Sequence, residues 1–388
     1  MSTINKPSEN TLHFDHTFTR RTILAGMLVG GIALHAACEN SDPTPAAVPV
    51  LTAESEERDL LAKEISSSYQ DFVSSFLSNE NLSKNQLRVI VDEEQNTVSE
   101  GMGYAMRFAI DLDDQATFEM LWNYVKGHLN DQGLMPWKIN KENQVEDVNT
   151  ATDGDIDIAY SLVRASQRWN ILGKEAHDMV KSIMSFDVEE GTFVLKPGNV
   201  WGGSNELNPS YFDPGIFKVF AEFTNNEDWL KASEACYRIW QAIRNLPQNS
   251  TGFVPEWCTA EAQPIKDRDS DDFEMRYNGV RIAWRLSDDF ADRRAQDHLT
   301  EINAFFESLG EPNQIVDGYK LDGTPVGEWN NSPFISLATI ASLISKNTVY
   351  RKSLLDALIN KRDSRYYNDA LRLFGLITCY KYFEFSGS

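Results

Sequence analysis

The chain has 388 residues, 41% of them apolar and 24% charged, the balance of a globular protein with a large core. Its formal net charge of −22 excludes the basic surface that nucleic acid requires. A neutral or cationic partner fits that charge, as does plain solubility.

The first 38 residues read as an export signal. Arg20 and Arg21 precede an apolar run of small residues from Ile23 to Ala37. At about 15 residues that run falls short of the ~20 a membrane span needs. It ends at Ala36-Ala37-Cys38, which resembles a lipoprotein cleavage site, although His35 stands where Leu is usual. The expectation is a periplasmic or outer-membrane protein attached through a lipid on Cys38, with cleavage and secretion as the alternative. A polar, proline-bearing tether follows over 39–56, and the folded domain is expected over 57–388.

From residue 58 onward, helical periodicity marks about twelve segments. They cover roughly 58–77, 100–111, 114–129, 152–169, 174–186, 213–223, 226–245, 276–288, 291–309, 331–346, 349–361 and 367–383. Trp229, Ala232, Ala235, Cys236, Ile239 and Trp240 illustrate the spacing. Strand-like stretches (87–90 and 192–196) are few and short. An all-α domain follows, as a solenoid, a bundle or a closed barrel of six hairpins. The longer connections precede the second, fourth, sixth, eighth and tenth segments, which favours the barrel. In it, alternate helices line the inside and their N-termini share one rim. Cys236, Cys258 and Cys379 lack metal-ligand spacing and are expected as buried free thiols. The scattered histidines add no ligand set, so no metal or other cofactor is expected.

Three rim segments carry acidic or polar clusters. Ser99-Glu100-Gly101-Met102-Gly103-Tyr104 opens the second helix, Ala151-Thr152-Asp153-Gly154-Asp155-Ile156-Asp157 the fourth, and Arg276-Tyr277-Asn278-Gly279-Val280-Arg281 the eighth. Acids at helix starts also serve as caps and dipole partners, which alone would account for Asp153, Asp155 and Asp157. Aromatics crowd the same rim: Tyr104, Trp137, Trp201, Tyr211, Phe212, Trp257, Tyr277 and Trp329. Such faces stack on sugar rings while carboxylates bond the hydroxyls.

The Ser-Glu-Gly-Met-Gly-Tyr segment, followed about 50 residues later by Ala-Thr-Asp-Gly-Asp-x-Asp-Ile-Ala, resembles glycoside hydrolase family 8. Pro136-Trp137, Asn208-Pro209-Ser210-Tyr211-Phe212, Gly252-Phe253-Val254-Pro255-Glu256-Trp257 and Arg281 with Trp284-Arg285 are similar too. The resemblance implies an (α/α)6 barrel that cleaves β-1,4-linked glycans with inversion and without a metal. It implies that Glu100 is the general acid and that Asp153 binds the sugar at the cleavage point. Asp155 is expected as a structural neighbour. Trp137 is implied to line a sugar subsite, and Tyr104, Trp201, Tyr211, Tyr277 and Arg281 are expected to bind substrate.

Asn278 departs from the pattern, since many members carry Asp there as the general base. An amide cannot take the proton of the attacking water, yet an inverting site needs a carboxylate roughly 6.5–9.5 Å from the acid. A branch of the family also has Asn and draws its base from the preceding loop, which here contains Asp271, Asp272 and Glu274. Glu274, four residues before Asn278, is the first choice and is expected to share a face with it. The reading is an endo-acting hydrolase of cellulose-type or mixed-linkage β-glucan, or of chitosan. A xylanase of the same family and a non-catalytic glycan-binding lipoprotein are the alternatives.

Overall fold

A computed structural model describes residues 53–265 and 273–386. The export segment, Cys38, most of the tether, Asp271 and Asp272 lie outside the described residues. Among those described are twelve α-helices: α1 (Ala53–Phe76), α2 (Ser99–Asp111), α3 (Gln115–Lys126), α4 (Thr152–Trp169), α5 (Gly173–Phe186), α6 (Pro214–Thr224), α7 (Asp228–Arg244), α8 (Ile282–Ser287), α9 (Arg293–Leu309), α10 (Ser332–Ser342), α11 (Thr348–Asn360) and α12 (Tyr366–Ser386). The even-numbered helices pack consecutively, α2 on α4, α4 on α6, α6 on α8, α8 on α10 and α10 on α12. Phe108 of α2 meets Phe374 of α12 at 4.5 Å between ring centres, which closes the ring. The odd-numbered helices cover it from outside, giving the (α/α)6 barrel.

Local sequence explains where these helices start. Asp213 caps α6 by accepting from the Ile216 amide, with Pro214 in the first turn, where a missing N–H costs nothing. Asn331 and Asn347 cap α10 and α11 in the same way. Inside the ring, Trp284 stacks on Phe374 at 3.7 Å, and Arg107 lies over the Trp284 ring at 4.7 Å. Cys236, Cys258 and Cys379 are buried free thiols, as their apolar settings imply.

Short strands occupy the rim. β1 (Leu77–Ser78) pairs with β2 (Arg88–Val89). β3 (Thr97–Val98), β4 (Pro136–Ile139) and β5 (Val145–Thr150) form an antiparallel sheet in that order. β3 runs directly into α2 and β5 leads to α4, so one small sheet ties the two acidic helix starts together. β6 (Glu274–Met275) pairs with β7 (Tyr319–Lys320) just ahead of α8.

One boundary differs from the periodicity. The eighth segment was expected as helix from 276, but α8 begins at Ile282, after a 3-10 turn over Gly279–Arg281. Glu256 holds the turn that precedes it. One carboxylate oxygen accepts from the backbone amides of Arg276, Asn278 and Gly279, at 3.1, 2.7 and 3.1 Å. These amides lead into the helix and have no acceptor within it, so Glu256 satisfies them.

Candidate active site

Helices α2 and α4 cross closely enough to bring their first turns into contact. A Cβ on Gly154 would meet Ser99 Oγ at 2.5 Å and the Glu100 amide nitrogen at 2.8 Å, so only glycine permits this approach. Glu100 and Asp153 consequently face the same point. Arg281 fills it: Nη1 donates to Glu100 Oε2 at 2.8 Å and to Asp153 Oδ2 at 2.7 Å. Its other nitrogens reach Ser210 Oγ at 3.1 Å, Asn278 Oδ1 at 3.1 Å and the Asn278 carbonyl at 3.2 Å. Asp153 and Arg281 are almost wholly buried, whereas Glu100 keeps 20% of its side-chain surface open.

One positive charge between two carboxyl groups leaves the pair short of compensation. Burial pushes the Glu100 carboxyl up to about 7, opposed by Arg281 and reinforced by Asp153. The remaining oxygen, Oε1, accepts from the Tyr366 hydroxyl at 3.2 Å. With Oε2 bound by Arg281, Oε1 is the oxygen left to carry a proton on this carboxyl. That phenol is itself held well above its ordinary range by burial and by Glu100, so it stays neutral.

The three acids of α4 do different work. Asp157 accepts from Arg107 at 3.0 Å and from both terminal nitrogens of Arg285 at 2.8 Å, all buried beneath the site. Asp155 accepts from the Met135 amide at 3.1 Å and so fixes the strand that carries Trp137. Burial raises Asp155 to about 8, which makes it a neutral structural neighbour near pH 7. Ala151, at the N-cap of α4, has no side chain to cap with, and Asp153 Oδ1 accepts from the first-turn amide of Gly154 at 2.9 Å, so Asp153 serves the helix start as well as the site.

The expected aromatics divide into two groups. Trp137 is exposed and donates its indole N–H to Asp147 at 2.9 Å. Trp201 and Trp257 sit 5.7 Å apart, Tyr211 lies beside Trp257 and beneath Arg281, and Tyr277 is 38% exposed. Tyr104 is the correction. Its ring is fully buried against Trp284 and Phe374, and only the hydroxyl approaches the site, 3.5 Å from Arg281. It supports the guanidinium and offers no face to a sugar.

Asn278 and Glu274 are not brought together. Asn278 donates from Nδ2 to Glu256 Oε2 at 3.0 Å, whereas Glu274 accepts from Arg276 Nε at 2.7 Å. Glu274 lies in β6 opposite Lys320, with Arg276 as its side-chain partner. Both Glu256 and Glu274 line a cavity of about 10 Å³, room for one water molecule. A larger hollow, about 220 Å³, lies between α7 and α9 on the outer wall, where Arg244 and Arg294 are already paired with Glu301 and Glu234.

Sequence reasoning missed Tyr366 and the role of Glu256. Tyr366 opens α12, an even-numbered helix, and rim logic would have found it. Glu256 arrives from a loop with no periodic signal. An Asn278→Asp substitution tests the clamp, because it sets two carboxyl groups 3.0 Å apart. One must then hold its proton, so its folded-state pKa rises. Stability from such a group is present below the ordinary carboxylate pKa and lost as pH rises through the folded value. The deficit of the variant in unfolding free energy, measured in urea, is expected to widen from pH 4.5 to pH 8 by roughly 1–2 kcal/mol. A constant deficit would contradict the contact.

Residues 60–381 match the family model described as "Glycosyl hydrolases family 8". The chain belongs to that family. It is 36% identical over 296 residues to Endoglucanase 2 of Ruminiclostridium josui, covering 73% of this chain and 63% of that protein. It is 30% identical over 311 residues to a beta-glucanase of Niallia circulans, covering 73% and 76%. Relatives named as reducing-end xylose-releasing exo-oligoxylanases are 25% to 27% identical. The apo structure of a beta-1,3-1,4-glucanase from Paenibacillus sp. X4 superposes with a TM-score of 0.79 at 26% identity, over 83% of this chain and 92% of that one. The chain spans less than two thirds of the length of several endoglucanase relatives, 61% for Endoglucanase A of Acetivibrio thermocellus.

Proposed function

We propose that this family 8 protein hydrolyses internal β-1,4 linkages of a cellulose-type or mixed-linkage glucan by single displacement with inversion. The observation that carries this reading is the Arg281 bridge, which holds Glu100 and Asp153 together at an aromatic-lined rim. Glu100, protonated on Oε1, gives its proton to the leaving glycosidic oxygen. Asp153 accepts hydroxyls of the sugar at the cleavage point, and Trp137, Trp201, Tyr211 and Tyr277 align the chain on either side. Chitosan is the second substrate, supported by the acidic residues of 267–274, whose charge suits ammonium groups. Xylan ranks below both because the xylose-releasing relatives are less similar.

Glu274 is proposed as the base that deprotonates the attacking water. Glu256 is the nearer acid to Asn278, but its oxygens already accept three backbone donors and the Asn278 amide. Among the described residues, Glu274 accepts from one side chain, that of Arg276. Glu274→Gln is expected to lower kcat by at least about a hundredfold and to abolish the acidic limb of the pH–rate profile. Glu256→Gln should chiefly lower stability through the 276–279 turn. If kcat falls with Glu256→Gln and not with Glu274→Gln, the base is Glu256; if with neither, it belongs to another acid.

Product analysis on carboxymethyl-cellulose, mixed-linkage glucan, chitosan and xylan tests the substrate. Activity on xylan alone would overturn the ranking. Binding to a β-glucan without release of reducing ends would leave a non-catalytic binder. Export and acylation at Cys38 complete the proposal. Mass spectrometry of the mature N-terminus checks them, an unacylated Cys38 or Ala37 end counting against the anchor.

A further inference from the structure

Trp329 is the most exposed tryptophan among the described residues, 72% open, although aromatic surface of that size is costly to leave in water. It is not loosely held. Asp317 Oδ1 accepts from the backbone amides of Glu328 and Trp329, both at 2.9 Å. Asp317 Oδ2 accepts from the Tyr277 hydroxyl at 2.8 Å, and Asn331 Nδ2 donates to the same hydroxyl at 2.8 Å. One carboxylate thus fixes both Trp329 and Tyr277. Gly327 packs against Asp317 so closely that a Cβ there would lie 2.3 Å from Oδ1.

The position around the ring is equally informative. Trp329 precedes α10, the fifth inner helix, and Trp137 lies on the strand pair leading into α4, the second. In a ring of six the second and fifth positions are opposite, and Glu100, Asp153 and Arg281 meet from the starts of the first, second and fourth. Tyr277, four residues before Arg281, shares Asp317 with Trp329, so one carboxylate joins Trp329 to the edge of the site.

We propose that Trp329 is an outlying sugar platform, stacking on a β-linked glucopyranosyl ring beyond Tyr277 and making recognition depend on chain length. The proposal rests on the glucan reading above. Calorimetry in a Glu100→Gln background, which holds substrate intact, tests it with cellotetraose and cellohexaose, alongside retardation in gels containing mixed-linkage glucan. Trp329→Ala is expected to weaken hexaose binding and gel retardation about tenfold, change tetraose binding less than twofold, and leave the melting temperature unaltered. Trp329→Tyr should recover most of the loss. Equal losses for both lengths, or none for hexaose and gel, would overturn the platform. Wild-type turnover on mixed-linkage glucan is measured separately. No turnover with Trp329-dependent binding rejects the hydrolase reading and keeps the platform. Turnover with unchanged binding by Trp329→Ala does the reverse.

Discussion

Glu100→Gln is expected to lower kcat on a β-1,4-glucan by at least about a thousandfold while KM stays within a few-fold. The amide keeps the shape and still accepts from Arg281, so substrate meets almost the same surface. What it loses is the proton that the leaving oxygen needs. The same substitution should raise stability at neutral pH. Burial lifts the Glu100 carboxyl to about 7 in the folded protein, above its ordinary value. A carboxyl shifted upward contributes stability below its unfolded pKa and loses that contribution as pH rises through the folded one. The melting temperature of the variant is therefore expected to pull ahead of wild type between pH 4.5 and pH 8. Near-normal kcat would remove Glu100 from the chemistry. A stability gap that does not vary with pH would mean that its carboxyl does not titrate as the burial implies.

Asp157→Asn is expected to cost about 3–5 kcal/mol of unfolding free energy, the largest effect of any substitution outside the catalytic groups. Asp157 has no exposed surface and neutralises Arg107 and Arg285, which are themselves buried. Arg attraction holds its carboxyl below the ordinary range despite the opposing effect of burial. Asp213 lies 3.3 Å from Arg285 and 4.0 Å from Arg107, but burial and neighbouring Asp288 push its own carboxyl upward, so it cannot take over the charge. Removing Asp157 leaves Arg285 short of a counter-charge in the barrel interior, while Arg107 keeps Asp288 at 2.8 Å. Urea unfolding measures this, and a loss below about 1 kcal/mol would contradict the arrangement.

The alternation of long and short connections made the twelve-helix ring readable, and with it the common rim. Glu100, Asp153 and Arg281 were legible because each sits in the first turns of an even-numbered segment. A further regularity was there to be read. Asp153 and Asp157 stand four apart, as do Arg281 and Arg285, so two helix faces can form two rungs of opposite charge. The structure forms both, one at the site and one below it. Asp155, between the rungs, points instead to the Met135 amide. Tyr104 was misjudged because its rim position says nothing of side-chain direction, and α2 turns the ring inward against Trp284. The partnership of Asn278 was hidden for a different reason. Spacing put it on one face with Glu274, but its partner, Glu256, crosses from a loop 22 positions away. Contacts of that kind arise from tertiary packing and leave no periodic trace.

The central claim is that Glu100 supplies the proton to the leaving group. Comparing Glu100→Gln with wild type on two substrates, a natural β-glucan and β-cellobiosyl fluoride, isolates that step, because fluoride departs with little need for acid. The account predicts a loss of about a thousandfold or more on the glucan and less than about tenfold on the fluoride. Equal losses on both would show that the residue serves binding or structure, and the assignment would fall.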